Sequence, residues 1–292
     1  MMDIYAMVTD KIINLLESGV VPWRRPWTST GLPCNLVSKK PYRGVNVFLL
    51  SVSKYVSPFW LTMRQANEIG GHIRKGEEST AIVFWKIEDA KSGTQDLEAE
   101  ENDEKTRRRF LLRFYRVWNL EQCELPQSVL DKLPKFETHQ HDPIEAVEKI
   151  VAGMPNPPEI VRGGSKAYYS PLTDRITLPP RELFISAEEE ACTTLHECSH
   201  AAGASKRLNR SSITEAAPFG SPTYSLEELV AELSAAYLCA EAGISNVVIA
   251  NQAAYVGGWL KAVRDDRKLL IHAAAQAQKA TDYILNRKSC EQ

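Results

Sequence analysis

The sequence predicts an α+β protein of two domains, and three observations lead to this prediction. A chain of 292 residues is long enough for two domains of ordinary size. Each half combines short β-rich runs with helical periodicity, which is typical of α+β architecture. The halves also differ in composition, because the first is basic and rich in tryptophan while the second carries the compensating acidic residues.

The overall composition is that of a globular protein. Hydrophobic residues make up 43% of the chain and charged residues 25%, and no apolar run approaches the ~20 residues that a membrane helix needs. The N-terminus carries Asp3 and Asp10 and lacks the apolar core of a secretory signal. The six cysteines have no C-x-x-C spacing, so we expect a reducing, cytoplasmic setting without a membrane partner.

The basic charge of the first half predicts a nucleic-acid-binding surface. Residues 1–86 contain eleven lysines and arginines against six acidic residues, and five of the six tryptophans precede residue 119. Interleaved basic and aromatic residues are typical of surfaces that bind single strands. Because no helix-turn-helix or zinc-finger pattern is present, we expect binding that does not depend on base sequence.

A loop with two prolines follows the first predicted helix, which spans residues 1–17. Exposed tryptophan and arginine side chains in this loop could stack on bases and pair with phosphates. The alternative is that the tryptophans fill a core while the arginines are merely solvated. The candidate DNA-binding residues of the loop are Trp23, Arg24, Arg25 and Trp27.

Two basic turns supply further candidates for contact with nucleic acid. The first precedes an apolar run at residues 45–56, which predicts a packed helix or strand. The second lies between a helix predicted to start at Thr62 and a β-rich run at residues 80–86. The candidates in these turns are Lys39, Lys40, Tyr42, Arg43, Asn46, Arg74 and Lys75.

The boundary between the predicted domains follows the last strand of the first half. The run at residues 80–86 is expected to pair with residues 109–118, with an exposed acidic excursion between them. Prolines and mixed polar residues then predict a linker over residues 131–142. The sequence thus predicts a single-strand-binding domain over residues 1–130 and a second domain over residues 143–292.

The second domain is predicted to contain a small sheet followed by helices. A helix beginning at Pro143 precedes three short strands, at residues 159–162, 167–170 and 175–178. The predicted helices that follow cover residues 187–202, 225–242, 252–263 and 266–288.

The helix over residues 187–202 has both a start and a stop signal. Ser186 and Glu189 form a capping-box pattern at its beginning. Gly203 stands where a left-handed residue is expected to end the helix. The residues between these signals are small and mostly apolar, so the sequence predicts a buried helix.

This helix carries the motif His-Glu-x-x-His. His196 and His200 are four residues apart and project from one face of a helix. Two imidazoles in that arrangement can bind one Zn²⁺ and leave Glu197 beside the metal to take a proton from bound water. The alternative is two histidines on a helix face with no metal.

A catalytic zinc site needs a third protein ligand. A third histidine in His-x-x-Gly-x-x-His spacing is excluded, because Lys206 occupies its position. Glu228 and Glu232 share one face of the helix at residues 225–242, and we expect Glu228 to bind the metal and Glu232 to orient a histidine. Glu232 or another group stays open as the third ligand. Ser225-x-x-Glu228 also fits a capping box, in which the Glu228 side chain would accept hydrogen bonds from backbone amides.

A site of this kind performs peptide hydrolysis. Zn²⁺, or another divalent metal such as Mn²⁺, lowers the pKa of its bound water toward ~7 and polarises a carbonyl. Glu197 would then transfer the proton to the leaving amine. The strand at residues 167–170 could bind an extended peptide. Tyr169 and Tyr224 are candidates for stabilising the oxyanion, with a packing role as the alternative.

Nearly the whole chain resembles the ArdC family of antirestriction proteins carried by conjugative plasmids. In the first half the resemblance rests on residues 19–27, 42–46, 60–66, 70–71, 75–77 and 83–85. In the second half it rests on Tyr168-Tyr169, residues 174–176, the His-Glu-x-x-His motif through Gly203, and residues 227–232.

The resemblance implies an N-terminal domain that binds single-stranded DNA and a C-terminal zincin-like metallopeptidase domain. It also implies that the protein protects an incoming plasmid strand from the restriction enzymes of the recipient cell. It leaves the protein substrate open, whether a restriction enzyme subunit or another protein. Two other functions stay open: a non-catalytic DNA-binding protein with a structural or vestigial metal site, and a DNA-tethered repair protease.

Overall fold

The computed structural model describes most of the chain. The described residues are 3–17, 32–51, 53, 55, 57–89, 108–133, 143–214, 222–244 and 253–287. Four predicted DNA-binding residues, Trp23, Arg24, Arg25 and Trp27, lie outside them, as do residues 134–142 of the predicted linker.

The predicted α+β architecture is confirmed. The elements of the first half are α1 (Ile4–Glu17), β1 (Cys34–Asn35), α2 (Val45–Ser51), β2 (Phe59–Leu61), α3 (Met63–Glu68), β3 (His72–Ile73), β4 (Thr80–Asp89), β5 (Arg108–Asn119), β6 (Cys123–Glu124) and α4 (Gln127–Leu130). Those of the second half are α5 (Pro143–Gly153), β7 (Glu159–Arg162), β8 (Tyr168–Ser170), β9 (Arg175–Leu178), α6 (Ala187–Ala202), α7 (Ser211–Thr214), α8 (Pro222–Glu241), α9 (Ala253–Asp265) and α10 (Leu269–Ile284).

A four-stranded sheet in the order β1-β2-β5-β4 forms the centre of the first half. Strands β4 and β5 pair antiparallel along their length, from Thr80 opposite Val117 to Asp89 opposite Arg108, which confirms the predicted pair. Asn46 binds the other edge of β4: its side-chain amide donates to the Val83 carbonyl at 2.7 Å and accepts from the Val83 N–H at 2.8 Å. The apolar run after the first basic turn is therefore a helix, α2, that docks on the sheet edge.

The second half contains a three-stranded sheet in the order β7-β9-β8, with the strands where the sequence predicts them. Strand β9 is central, parallel to β7 and antiparallel to β8. Its residues Ile176 and Leu178 are buried in a cluster with Leu195 and Cys198 of α6. This packing places α6 against one face of the sheet.

One hydrophobic cluster joins the two halves. Val8 and Ile12 of α1 lie in the same buried cluster as Val230 of α8, Trp259 of α9 and Leu270 of α10. Phe48 of α2 stacks on Tyr237 of α8 with ring centroids 4.9 Å apart. Helices α8 and α10 therefore pack against α1 and α2 through this cluster and against α6 through the second cluster.

Two helix-end signals read from the sequence are absent from the structure. Gly203 follows α6 with φ −77°, so it does not adopt the left-handed conformation. A Cβ at this position would lie 2.8 Å from Arg210 and Ile213, so a glycine is needed there for space. Helix α8 begins at Pro222, which places Ser225 inside the helix and excludes the capping box with Glu228.

Candidate metal centre

Helix α6 presents the His-Glu-x-x-His motif from a buried position. The side chain of Ser186 accepts a hydrogen bond from the Glu189 N–H at 3.2 Å and so caps the helix. The carboxylate of Glu189 accepts from Ile185 at 2.6 Å instead of from Ser186, so the capping is one-sided. Glu197 is only 7% exposed and is therefore shielded from bulk water.

His196, His200 and Glu228 come together with their donor atoms within 4.8 Å of one another. The Nε2 atoms of His196 and His200 are 3.1 Å apart. The two carboxylate oxygens of Glu228 lie 3.6 Å from these nitrogens, one oxygen facing each ring. Donor atoms bonded at ~2.0–2.1 Å to one tetrahedral ion stand about 3.3 Å apart. The three side chains therefore fit a single divalent ion.

The electrostatic surroundings also favour a cation between these side chains. Burial lowers the pKa of His196, but the facing carboxylate of Glu228 and the charges of Glu232 and Glu197 raise it to about 9. Burial raises the pKa of Glu228, and its interactions with His196 and His200 bring it below the ordinary value. A field that holds a proton on an imidazole in this way would equally hold a metal ion.

Glu227, the neighbour of the predicted ligand, contacts His200 from the opposite side. Its Oε1 lies 3.0 Å from His200 Nδ1. Arg210 contacts both oxygens, with Nη2 2.5 Å from Oε1 and Nε 3.1 Å from Oε2. Ser212 donates to Oε2 at 2.5 Å. Burial raises the pKa of Glu227, but the hydrogen bonds to His200 and Arg210 hold it down at about 2.

Sequence reasoning missed the contribution of Glu227, Arg210 and Ser212. A carboxylate next to a ligating histidine is expected on physical grounds, because metal-bound imidazoles usually donate their other N–H to an acceptor. The doubled Glu227-Glu228 pair was the available signal, since successive helix residues point about 100° apart and can serve different partners.

Glu232 lies beside the other histidine. Its Oε1 is 3.9 Å from His196 Nδ1, beyond hydrogen-bond length. His196 Nδ1 is buried and has no hydrogen-bond partner in the described part of the chain. Glu232 thus lies on the Nδ1 side of His196, while Glu228 faces both Nε2 atoms.

The two tyrosines proposed for the oxyanion have different surroundings. The Tyr169 hydroxyl donates to Asp174 at 2.8 Å, and burial together with Asp174 raises the pKa of Tyr169 to about 12. Asp174 in turn pairs with Arg207 at 2.6 Å. Tyr224 instead hydrogen-bonds Glu228, where it helps to lower the pKa of that carboxylate. Only Tyr224 therefore contacts one of the three candidate ligands.

Two of the predicted DNA-binding residues are interior residues. Tyr42 is 7% exposed and Asn46 is 4% exposed, and the amide of Asn46 is fully used by Val83. Arg43 pairs with Asp282 of α10. The burial of Tyr42 and Asn46 argues against the expected contact with DNA, because both side chains pack inside the fold.

The remaining predicted cations lie at the surface. Lys39, Lys40 and Lys75 are exposed, and the Lys39 ammonium lies 5.3 Å from the centre of the Phe59 ring. Arg74 pairs with Glu77 at 3.0 Å while keeping 45% of its side chain exposed.

Strand β5 adds an exposed aromatic residue that the sequence analysis did not select. Tyr115 is 48% exposed and meets the Phe84 ring edge-on at 5.7 Å. Arg113, two residues earlier, is exposed on the same face of the strand. This surface combines an aromatic ring with a cation, as single-strand binding requires.

Among the described residues, no helix is both long and apolar enough to cross a bilayer.

Family models match both halves of the chain. A model described as "N-terminal domain of anti-restriction factor ArdC" matches residues 2–118. A model described as "Zincin-like metallopeptidase" matches residues 145–276, which include all the candidate ligands.

Curated relatives match along nearly the full chain. Uncharacterized protein y4eC of Sinorhizobium fredii (strain NBRC 101917 / NGR234) is 35% identical over 291 residues, covering 97% of this chain and 91% of that protein. DNA primase TraC of Escherichia coli is 33% identical over 298 residues, covering 96% of this chain. The chain spans only 27% of the length of TraC.

Two crystal structures of the antirestriction ArdC protein from the R388 plasmid have the same fold. The metal-free structure matches with a TM-score of 0.76 and 31% identity, covering 98% of this chain and 100% of that one. The Mn(II)-bound structure matches with a TM-score of 0.76 and 32% identity over the full length of both chains.

Proposed function

Because the chain belongs to the ArdC family of antirestriction proteins, we propose that it protects incoming plasmid DNA from host restriction enzymes during conjugation. In this proposal the first half binds the entering strand as single-stranded DNA and the second half hydrolyses a protein. The protein would act in the cytoplasm, where restriction enzymes meet entering DNA. A restriction enzyme subunit bound to the same DNA is the substrate that this arrangement would bring closest.

The convergence of His196, His200 and Glu228 carries the peptidase part of the proposal. Their donor atoms surround a space of the size of one tetrahedral ion. We propose Zn²⁺ as the resident ion on the basis of its nitrogen-rich donor set, with Mn²⁺ as the alternative because a relative was crystallised with Mn(II). When bound, the ion would acidify a water molecule and polarise a carbonyl.

The residues around the donor atoms would transfer the proton, stabilise the oxyanion and bind the substrate. Glu197 would take a proton and return it to the leaving amine, since it is the carboxylate of the motif and is adjacent to His196. The phenol of Tyr224 contacts Glu228 and would be near enough to donate to a developing oxyanion. Strand β8, at the edge of its sheet, could pair with an extended substrate.

Exposed aromatic and basic residues support the single-strand-binding part of the proposal. Tyr115 and Arg113 offer a ring and a cation on one face of β5, and Lys39, Lys40 and Lys75 add charge at the two basic turns. Base stacking is tolerant of sequence, and contacts with phosphates are weakened by salt. We therefore propose binding that prefers single strands without reading their sequence.

The Glu197→Gln variant tests the proposal, because it keeps the size of the side chain and removes its basicity. Metal content, casein hydrolysis, single-strand affinity and protection of transferred DNA would be measured for the variant and the wild type. We expect unchanged metal and DNA binding, lost hydrolysis and lost protection. Undiminished protection by the variant would show that hydrolysis is not the protective activity.

A second candidate function is a DNA-covering protein whose metal site is structural. The similarity to a segment of DNA primase TraC favours this second function, because the name of that relative refers to DNA and not to a protein substrate. In this case Glu197→Gln would protect DNA as well as the wild type, whereas a variant that binds DNA poorly would not.

A further inference from the structure

We infer that Glu227, held by Arg210, is a positioning residue that orients His200 toward the metal. The inference rests on the proposed metal site and adds to it three residues that are not ligands: Glu227, Arg210 and Gly203. Each is linked to the next by a contact in the structure, and the series ends at a candidate ligand.

The contact between Glu227 and His200 fixes which imidazole nitrogen faces the metal. A carboxylate can only accept hydrogen bonds, so His200 Nδ1 must carry the hydrogen in the 3.0 Å contact with Glu227 Oε1. The Nε2 atom is then left with its lone pair, directed at His196 and Glu228. Glu227 thus selects the tautomer and the ring orientation that metal binding needs.

Arg210 keeps Glu227 in place as a charged group. The guanidinium meets both carboxylate oxygens, at 2.5 and 3.1 Å, in a two-point pairing that leaves little rotational freedom. Arg210 and Glu227 are 7% and 4% exposed, and a buried carboxylate is costly unless it is paired and hydrogen-bonded. Arg210 Nη2 also donates to the Ser199 carbonyl at 2.7 Å, so the pair is attached to the helical turn that carries His200.

Gly203 provides the space for this guanidinium. Its φ of −77° is available to any residue, so backbone conformation does not require a glycine. A Cβ at position 203 would lie 2.8 Å from the Cζ and Nη2 atoms of Arg210. A larger residue would displace the guanidinium and with it the carboxylate behind His200. Gly203 therefore acts on the metal site indirectly, by leaving space for the guanidinium that holds Glu227.

The test compares metal binding by wild type, Glu227→Gln and Glu241→Gln. Glu241 is the matched control. It is the last residue of α8 and also pairs with an arginine, Arg287, at 2.8 Å, but it does not contact a histidine. Dissociation constants for Zn²⁺ and the visible spectrum of the Co²⁺ form are measured on the full chain. We expect Glu227→Gln to bind Zn²⁺ about 10–100-fold more weakly and to change the Co²⁺ spectrum, with Glu241→Gln unchanged in both.

A purely structural role for Glu227 gives a different result. In that case Glu227→Gln lowers the melting temperature of the metal-free protein but leaves the Zn²⁺ affinity of the folded protein and the Co²⁺ spectrum as in wild type, which overturns the inference. Failure of the wild type itself to bind Zn²⁺, Co²⁺ or Mn²⁺ would instead overturn the proposed metal site.

Gly203→Ala provides a second, independent variant, with His200 and Glu227 both retained. We expect weaker Zn²⁺ binding in the same direction as Glu227→Gln, because the added Cβ displaces Arg210. Wild-type affinity in Gly203→Ala would contradict the role of the guanidinium. If Gly203→Ala does not fold, Arg210→Lys replaces it, since lysine keeps the charge but cannot make the two-point contact.

Discussion

The carboxylate of Asp282, on the last helix, pairs with the guanidinium of Arg43 in the first basic turn. Gln278, one turn earlier on α10, accepts the Gly44 N–H at 3.1 Å. The turn that the sequence assigned to DNA is thus bound to the C-terminal half of the molecule. Its cation at position 43 holds two parts of the chain together instead of facing a phosphate.

Replacing Arg43 by alanine should destabilise the protein. Asp282 is 3% exposed and would lose its arginine partner. We expect the free energy of unfolding to fall by about 1–3 kcal/mol. Urea denaturation of Arg43→Ala, Asp282→Asn and the double variant measures the change in the free energy of unfolding. We expect the double variant to lose less stability than the two single variants lose together. Strict additivity would mean that the pair does not couple the two halves.

Replacing Glu228 by alanine should abolish tight metal binding, whereas Glu232→Ala should only weaken it. Glu228 faces both Nε2 atoms, and Glu232 lies 3.9 Å from the outer nitrogen of His196. A metal at 100 times its Kd stabilises a folded protein by about 2.7 kcal/mol. We expect this increase for wild type and none for Glu228→Ala, in urea denaturation with and without Zn²⁺. Full stabilisation of Glu228→Ala would assign the third ligand elsewhere.

Acid should weaken the contribution of Asp174 to stability. Burial raises the pKa of this carboxyl, but Arg207, Lys206 and Tyr169 lower it from 3.8 to about 2. Because the unfolded chain binds the proton more readily, the contribution is complete above pH ~4 and is lost as the pH falls toward 2.

The Asp174→Asn variant isolates this contribution. Asparagine tolerates the left-handed conformation of Asp174, φ 49°, so the turn itself is preserved. Unfolding free energies of variant and wild type between pH 5 and pH 2 should converge as the pH falls. A difference that stays constant over this range would show that the charge of Asp174 is not its contribution.

Replacing Tyr115 by alanine should weaken single-strand binding. A stacked base contributes about 1–3 kcal/mol to affinity, and Tyr115 is the ring that β5 exposes beside Arg113. Fluorescence anisotropy with a labelled single strand, at several salt concentrations, gives the affinity. Met63→Ala serves as the control, because Met63 is similarly exposed, at 51%, but has no ring. Equal affinity of wild type and Tyr115→Ala would exclude stacking at this strand.

The sequence was informative where function depends on local spacing. The four-residue interval between His196 and His200 is short enough for a helix to fix their geometry, and the structure brings Glu228 to the same point. Strands β4, β5, β7, β8 and β9 also lie close to their predicted positions, because alternating apolar residues and turn residues act over a few positions.

Tertiary contacts account for what the sequence did not reveal. Glu227 meets Arg210, which is 17 positions away and reaches it through a turn after α6. No periodicity predicts this contact. Tyr42 and Asn46 looked like binding residues because polar and aromatic side chains in a basic turn serve equally well to dock a helix on a sheet edge. Burial decides between these roles, and burial is a property of the whole fold.

The hydrophobic cluster shared by α1, α8, α9 and α10 makes each half of the protein depend on the other. Separating the halves at the predicted linker would uncover Val8 and Ile12 on one fragment and Trp259 on the other. Recombination that exchanged one half for an unrelated domain would leave the other with an aggregation-prone surface. The similarity to TraC runs through 96% of this chain and thus includes both halves of the shared cluster.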